Sequence, residues 1–510
     1  MPHSPFLGIA LLTLLSTTLG ASAQSSTPAV LPDPVPPPLP GPIPDFSNQT
    51  VLQGFIAEAT DLTLVVNSPV IPPLVPAINP ADPTDSRNPP EAPELLGRNL
   101  SHPYIIPGGF YFHQFDWDSY FVGIALLYKQ VTAPIIGVVQ NFLDQNGRFY
   151  NIVGYIPREL SPYLGFSLPD QCKPFLAQMA LQASLVKNDF SWFTIALPVP
   201  PGHLQEVLKP RLYNYYTYLQ DFINYWETYR QTSDGLFIWT SAVESGIDRS
   251  FAVQGYTVGV DLQVYMYREY LAMAGIADHL NVPADAKSYR EKAATLKRAI
   301  RNKMWFEADG TFYNLNPYSG MPIRVPEWTN LTPILNHIAS ERQAHILIER
   351  HLLNKNEFWA NFGVRTLSRT SPDYNLTFRN TLLSYWNGPV WVVSNYLLMH
   401  GLLNYGYRNE AIELANKTIA VLVNDFRNPT IDINPISKML GIGGMHEIYN
   451  PDTGSESSPG DFISWDLLGL HMLDEAVYGS DPTSTGLYPR QPGRQDMQAE
   501  APDELQDGER

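Results

Sequence analysis

The chain has 510 residues, 44% of them hydrophobic, 12% aromatic and only 16% charged, so it is long enough and apolar enough to bury one large core. Its formal net charge of −17 argues against nucleic acid or an anionic membrane surface as partner, and weakly against a polyanionic substrate. A single cysteine, Cys172, rules out an intramolecular disulfide; the sequence leaves open whether this thiol is buried or reactive.

Residues 1–23 read as a cleaved secretory signal. An apolar run ends in Ala21-Ser22-Ala23, which fits a signal-peptidase site, although Lys and Arg are missing before it. The run is too short for a membrane span. Five Asn-x-Ser/Thr sequons, at Asn48, Asn99, Asn330, Asn375 and Asn416, fit a secreted glycoprotein. Residues 24–95 are proline-dense, as in "LPDPVPPPLPGPIPD", and cannot form continuous helix. They are expected to be a linker or an extended arm, of which the apolar "VLQGFIAEATDLTLVV" packs. Residues 479–510 are expected to be an acidic, disordered tail.

Between these ends, residues 96–478 read as a mostly helical, all-α body. Helical length or spacing marks 119–130, 174–188, 211–231, 261–280, 287–305, 340–353, 390–406, 408–426 and 465–479. Some of these are apolar nearly all round, which suits inner helices, and others are amphipathic, which suits outer ones. A repeat supports the arrangement. "NGRFYNI" at 146, "DGLFIWT" at 234 and "DGTFYNL" at 309 each place an Asn/Asp-Gly turn and a phenylalanine after a helical segment. Helical hairpins repeated in this way close into an α/α toroid; the alternative is an irregular helical domain using common turns.

Four loops carry the candidate chemistry. "FDWDSYF" (115–121) offers Asp118 or Ser119 as a helix cap. "VESGIDRSF" (243–251) sets Glu244 and Asp248 around Gly246, downstream of Phe237 and Trp239. Two acids beside aromatics suit chemistry on a sugar, or simply a polar capping loop. "SYWNGPVWVVSNY" (384–396) places Pro389 for a first helical turn, with Trp386 and Trp391 in the core or in a pocket. "GGMHEIYNPDTG" (443–454) sets Glu447 among His446, Tyr449 and Asn450. No phosphate loop, dinucleotide fingerprint or Cys/His zinc spacing occurs, and His113 and His446 read as hydrogen-bonding residues. No metal or cofactor is expected.

Together, "FDWDSYF", "QCKPFLAQMA", "ESGIDRS", "VDLQVYMYREY", "YWNGPVWVVSNYLL" and "HEIYNPDTG" with "FISWDLLGLHML" resemble glycoside hydrolase family 63 and its mannosylglycerate-hydrolase-like relatives, in the family's order over about residues 100–475. The resemblance implies an (α/α)6 barrel and hydrolysis of α-glycosidic bonds with inversion. It implies Asp248 as general acid and Glu447 as general base. It places Trp117, Asp118, Gln171, Trp386 and Trp391 at the sugar, and Trp239, Glu244, Arg249 and Tyr449 complete the expected binding set. Arg249 stands where family members often carry asparagine. Inversion needs the two carboxyls about 6.5–9.5 Å apart, so that water fits between them and the sugar. Asp248 needs a raised pKa, for which Phe237, Trp239 and Glu244 are the expected neighbours; Glu244 is the reserve acid.

Residues 107–120 also resemble the trehalase signature of glycoside hydrolase family 37 in Pro107, Gly108, Gly109, Trp117, Asp118 and Tyr120. Phe110 and His113 replace its arginine and glutamate. An α,α-trehalase is therefore the second expectation, and a sugar-binding protein that lost catalysis is the third. Every reading has a carbohydrate as ligand, without nucleic acid or membrane. Nothing in the sequence sets the oligomeric state.

Overall fold

A computed structural model describes residues 46–56, 100–108, 113–149, 151–160, 170–201, 212–376, 385–427, 445–458 and 462–482. The expected signal at 1–23, most of the expected arm at 24–95 and the expected tail beyond 482 lie outside these residues. Within the arm, a helical segment over 49–56 (α1) buries Leu52, Phe55 and Ile56 in the main core. Ser47 C=O accepts the Tyr478 hydroxyl at 2.7 Å.

Two kinds of helix alternate along the chain. Helix α2 (Asp116–Leu127) buries all of its residues, and so does α12 (Asp466–Leu473). Helices α4 (Leu176–Lys187), α7 (Val260–His279) and α10 (Val392–Asn404) are nearly as enclosed. A helix that is apolar all round has no solvent face to offer, so it must stand inside. Between them run α3 (Ala133–Leu143), α5 (Tyr215–Tyr229), α8 (Pro283–Lys303), α9 (Glu341–Leu347) and α11 (Arg408–Arg427). Helix α8 shows the outer type: only Ala286, Tyr289, Ala293, Leu296 and Ile300 are buried, on one stripe.

The inner elements form a closed ring. Helix α2 packs on α4, α4 on α7, and α7 on the 3-10 segment Trp328–His337. That segment packs on α10, α10 on α12, and α12 returns to α2. The fold is an (α/α)6 toroid. Two parts of it differ from the sequence expectation. Helix α3 was not expected, and the fourth inner position is a 3-10 segment that carries Pro333 and breaks at Leu335 and Asn336. Proline removes the backbone N–H that a regular helix needs there.

The three Asn/Asp-Gly repeats act as turns. Gly147, Gly235 and Gly310 adopt positive φ of 73°, 81° and 68°, a region glycine enters without steric cost. Each follows an outer helix and sends the chain back toward the next inner one. A short helix α6 (Ala242–Ser245), capped by the Ser241 side chain, interrupts the return from α5 to α7. The loops with the candidate acids therefore gather at the N-terminal ends of the inner helices. Among the described residues, no helix is long and apolar enough to cross a membrane.

Candidate active site

Each inner helix N-terminus leaves unsatisfied N–H groups and a partial positive charge, so acids are tolerated in its first turn. Asp116 and Asp118 occupy that place in α2, Asp261 in α7 and Asp466 in α12. The expected cap at Asp118 or Ser119 is not formed. The helix starts earlier, at Asp116, whose carboxylate accepts the N–H groups of Trp117 (2.7 Å) and Lys173 (2.8 Å). Asp118 is thereby released to face a pocket. Pro389 likewise lies before α10, which begins at Val392.

The pocket has a free volume of about 470 Å³, its mouth included. Trp117, Asp118, Asp248, Trp391 and Glu447 all line it. Asp248 and Glu447 come from different loops, the first between α6 and α7, the second between α11 and α12, and ring closure brings both to one cavity. Both are half-buried. Phe115, Arg158, Phe462 and Trp465 also line it, and sequence reasoning had not singled them out. Trp465 lay inside a quoted motif, and its place just before an apolar helix was the available signal. Arg158 stands alone in a loop and carries no pattern.

The aromatic wall is closely packed. Trp465 meets Trp117 edge-on at 5.3 Å, and Trp391 stands 5.6 Å from Trp465. Behind the wall, Trp386 stacks on Trp391 at 3.8 Å with planes 6° apart, and Trp328 lies at 5.7 Å on Trp386. Trp386 is 1% exposed and supports the pocket rather than lining it. Beneath Trp117, the fully buried Lys173 holds its ammonium 3.2 Å from Asp116 and 5.1 Å from the indole centre. Gly246 closes over the same ring. It has φ of +80°, and a Cβ there would stand 2.7 Å from Trp117 Cζ2, so only glycine fits.

Five other expected binding residues lie away from the pocket lining. Trp239 is fully buried and donates its Nε1–H to Asp261 at 3.0 Å; Phe237 is also core. Gln171 is spent on Ile156 N–H (3.1 Å) and Gly154 C=O (3.3 Å). Arg249 is exposed, in a left-handed conformation at φ 60°. Tyr449 is fully buried between Asp425 and Asp466. Glu244 is a hub of the fold. It accepts the N–H groups of Thr240 (2.6 Å) and Gln171 (3.0 Å), the Thr240 hydroxyl (2.8 Å) and the Arg230 guanidinium (2.8 Å). The sequence showed its closeness to Asp248 but not the four donors that turn it inward.

Burial sets the charge of Asp118 at the pocket and of several acids in the core. Asp118 is pushed up to about 7, chiefly by loss of water and partly by Asp116, against the Ser464 hydroxyl that donates to it at 2.8 Å. Burial also raises Asp261 to about 6, Glu269 to about 7 and Glu327 to about 8. In the unfolded chain such carboxyls titrate near 4. Between about pH 4 and 8 the folded state therefore holds more protons than the unfolded one, and stability falls as pH rises through that window. Thermal unfolding should show a higher midpoint at pH 5 than at pH 8; the reverse order would contradict these burial shifts.

The profile of the family described as "Mannosylglycerate hydrolase MGH1-like glycoside hydrolase domain" matches residues 171–465, more than half of the chain. The chain belongs to this family. A trehalase profile matches residues 52–190. The cytosolic neutral trehalase of Kluyveromyces lactis is 22% identical over 388 residues, covering 66% of this chain and 50% of that protein. The mannosylglycerate hydrolase of Rubrobacter radiotolerans is 26% identical over 195 residues, 38% of each chain. This member of the MGH1-like family thus spans about half the length, or less, of the curated relatives it matches. Among solved structures, the family 63 mannosylglycerate hydrolase from Thermus thermophilus, in complex with glucose, is 18% identical with a TM-score of 0.53. The match covers 74% of this chain and 98% of that one. At this identity the likeness speaks for the toroid alone.

The described residues include two exposed sequons, Asn48 and Asn416, and one half-buried sequon, Asn375. Asn330 is 2% exposed and donates to Val325 C=O, so the folded protein offers no room for a glycan there. Asn99 lies outside the described residues.

Proposed function

We propose that this chain is an inverting O-glycoside hydrolase acting on an α-linked glucoside or mannoside. Asp248 serves as general acid and Glu447 as general base. One observation carries the reading: two carboxylates from distant loops line a single pocket walled by tryptophans. Flat apolar walls suit the faces of a sugar ring, and the three acids Asp118, Asp248 and Glu447 suit the positive charge that develops at the anomeric carbon.

In the reaction, the carboxylic acid of Asp248 gives its proton to the glycosidic oxygen as the bond to the anomeric carbon breaks. Glu447 removes a proton from water as that water bonds to the same carbon from the opposite face. The sugar leaves as the β-anomer and the aglycone leaves as an alcohol. Asp118, poised near neutral pKa and held by Ser464, can donate to or accept from a sugar hydroxyl. Arg158 lines the same pocket and adds a guanidinium for hydroxyls of the substrate.

Proton NMR of the protein with α-glucosides and α-mannosides, including trehalose, kojibiose, nigerose and mannosylglycerate, tests this. The sugar whose anomeric bond is cleaved should appear first as the β-anomer, so trehalose should give β- and α-glucose in equal amounts at first. An α-anomer first would sink inversion, and binding without turnover would favour a sugar-binding protein. An α,α-trehalase is the second reading, supported by the trehalase match over residues 52–190. Trehalose turned over in preference to the rest of the panel would select it. A secreted location is also proposed. It rests on the apolar run before Ala23 and on the exposed sequons, whereas the matched Kluyveromyces trehalase is named cytosolic.

A further inference from the structure

Glu447 is bracketed in sequence by His446 and Tyr449, and one buried carboxylate holds both. His446 Nδ1 stands 2.8 Å from Asp425 Oδ2, and Tyr449 Oη stands 2.7 Å from the same oxygen. Tyr449 Oη also accepts the His446 backbone N–H at 3.0 Å and lies 3.1 Å from Asp466 Oδ2. Asp425 belongs to the last turns of α11, and Asp466 to the first turn of α12. All four side chains are at most 1% exposed. Tyr449 also pairs its backbone with Val390, in both directions, beside the pocket residue Trp391.

We propose that Asp425, Tyr449 and Asp466 are a buried positioning unit for Glu447, in which Asp466 holds a proton and leaves the negative charge to Glu447. The inference rests on the reading of Glu447 as general base. A phenol carries one hydrogen. The shorter contact, to Asp425, takes it. The approach of Asp466 to the same oxygen is then a hydrogen bond only if Asp466 supplies the hydrogen.

Burial raises both acids, but the hydrogen bonds from His446 and Tyr449 draw Asp425 back. Burial, then the charge of Asp425, then that of Glu447 push Asp466 well above the usual carboxyl range, against the pull of Tyr449. The sequence of bonds is therefore Asp466 O–H to Tyr449, Tyr449 O–H to Asp425, and His446 Nδ1–H to Asp425. It fastens the residues on both sides of Glu447 to two helices. A misplaced base costs rate far more than binding, because water activation occurs only in the transition state.

Steady-state kinetics with 4-nitrophenyl α-glucoside and α-mannoside tests the unit, with thermal unfolding as a check that each variant folds. Tyr449→Phe and Asp466→Leu should each lower kcat by roughly 10–100-fold, with KM held within about twofold. Asp466→Asn, whose amide N–H donates in place of the acid, should restore most of the kcat lost in Asp466→Leu. A Tyr449→Phe variant with parental kcat overturns the proposal. So does an Asp466→Asn variant no better than Asp466→Leu, or a loss in which KM and kcat move together. Glu447→Gln is measured alongside. Full activity there overturns the general-base reading and this inference with it; an inactive Glu447→Gln beside an unaffected Tyr449→Phe overturns this inference alone.

Discussion

Asp248→Asn and Glu447→Gln should each lower kcat on an unactivated α-glycoside by on the order of 10³-fold, the middle of the range for general acid–base groups. Both side chains are half-buried at the pocket, so the unfolding midpoint should barely change. The two variants separate on leaving group. As the proposed general acid, Asp248 would assist only the departing oxygen, so an aryl glycoside with an acidic phenol should recover much of the rate in Asp248→Asn. As the proposed general base, Glu447 would activate water whatever leaves, so Glu447→Gln should stay slow on both substrates. Equal recovery in both variants would undo the division of roles. Turnover near the parental rate in either would remove that residue from the mechanism, and if Asp248 were the one removed, the buried position of Glu244 would leave no described acid in the same loop to replace it.

Arg230→Met should destabilise the fold by about 3–5 kcal/mol, the usual cost of removing one partner from a buried pair. The pair is well enclosed: Arg230 is 9% and Glu244 0% exposed in their side chains, with Nη2 2.8 Å from Oε1. Methionine fills the space but strands the Glu244 carboxylate. Burial already raises that group, with Arg230 the first of several partners drawing it back. Without Arg230 it rises further, so the folded variant binds a proton that the unfolded chain releases. The loss of stability should then be greatest at high pH and shrink as pH falls. Urea unfolding at pH 5 and pH 8 measures both statements. A loss below about 1 kcal/mol, of the size seen for exposed pairs, would mean that water reaches this carboxylate.

The helices were legible wherever hydrophobic periodicity was long and uninterrupted, as in α7, α8 and α11. Helix α3 escaped because "APIIGVVQNFL" combines proline, glycine and four β-branched residues, each a weak helix former. Only its place between α2 and α4 makes it helical. The inner segment at 328–337 escaped for the opposite reason: Pro333 and the break at Leu335 and Asn336 deny it a helical period at all. At the site, the loop motifs drew attention to Asp248 and Glu447, and the resemblance to glycoside hydrolase family 63 supplied their roles and the place of Asp118, which the residues alone read as a helix cap. Direction was not legible. Glu244 lies four residues from Asp248, and Tyr449 two from Glu447, yet both face inward. What turns them is a set of donors and acceptors on other elements, Arg230 and Gln171 for the first, Asp425 and Asp466 for the second.

The last inner helix of the ring packs against the first, and the Ser464 hydroxyl reaches Asp118 across 346 residues of sequence. Contacts of such separation form late, because the entropy of closing the intervening chain must be met before they return any stability. A chain folding as it leaves the ribosome can pair its early helices and bury much of their surface. The pocket, however, still lacks Glu447, Phe462 and Trp465 until α12 docks. Pocket assembly is therefore tied to ring closure: a chain in which α12 has not docked would lack part of the aromatic wall and one of the two candidate carboxylates.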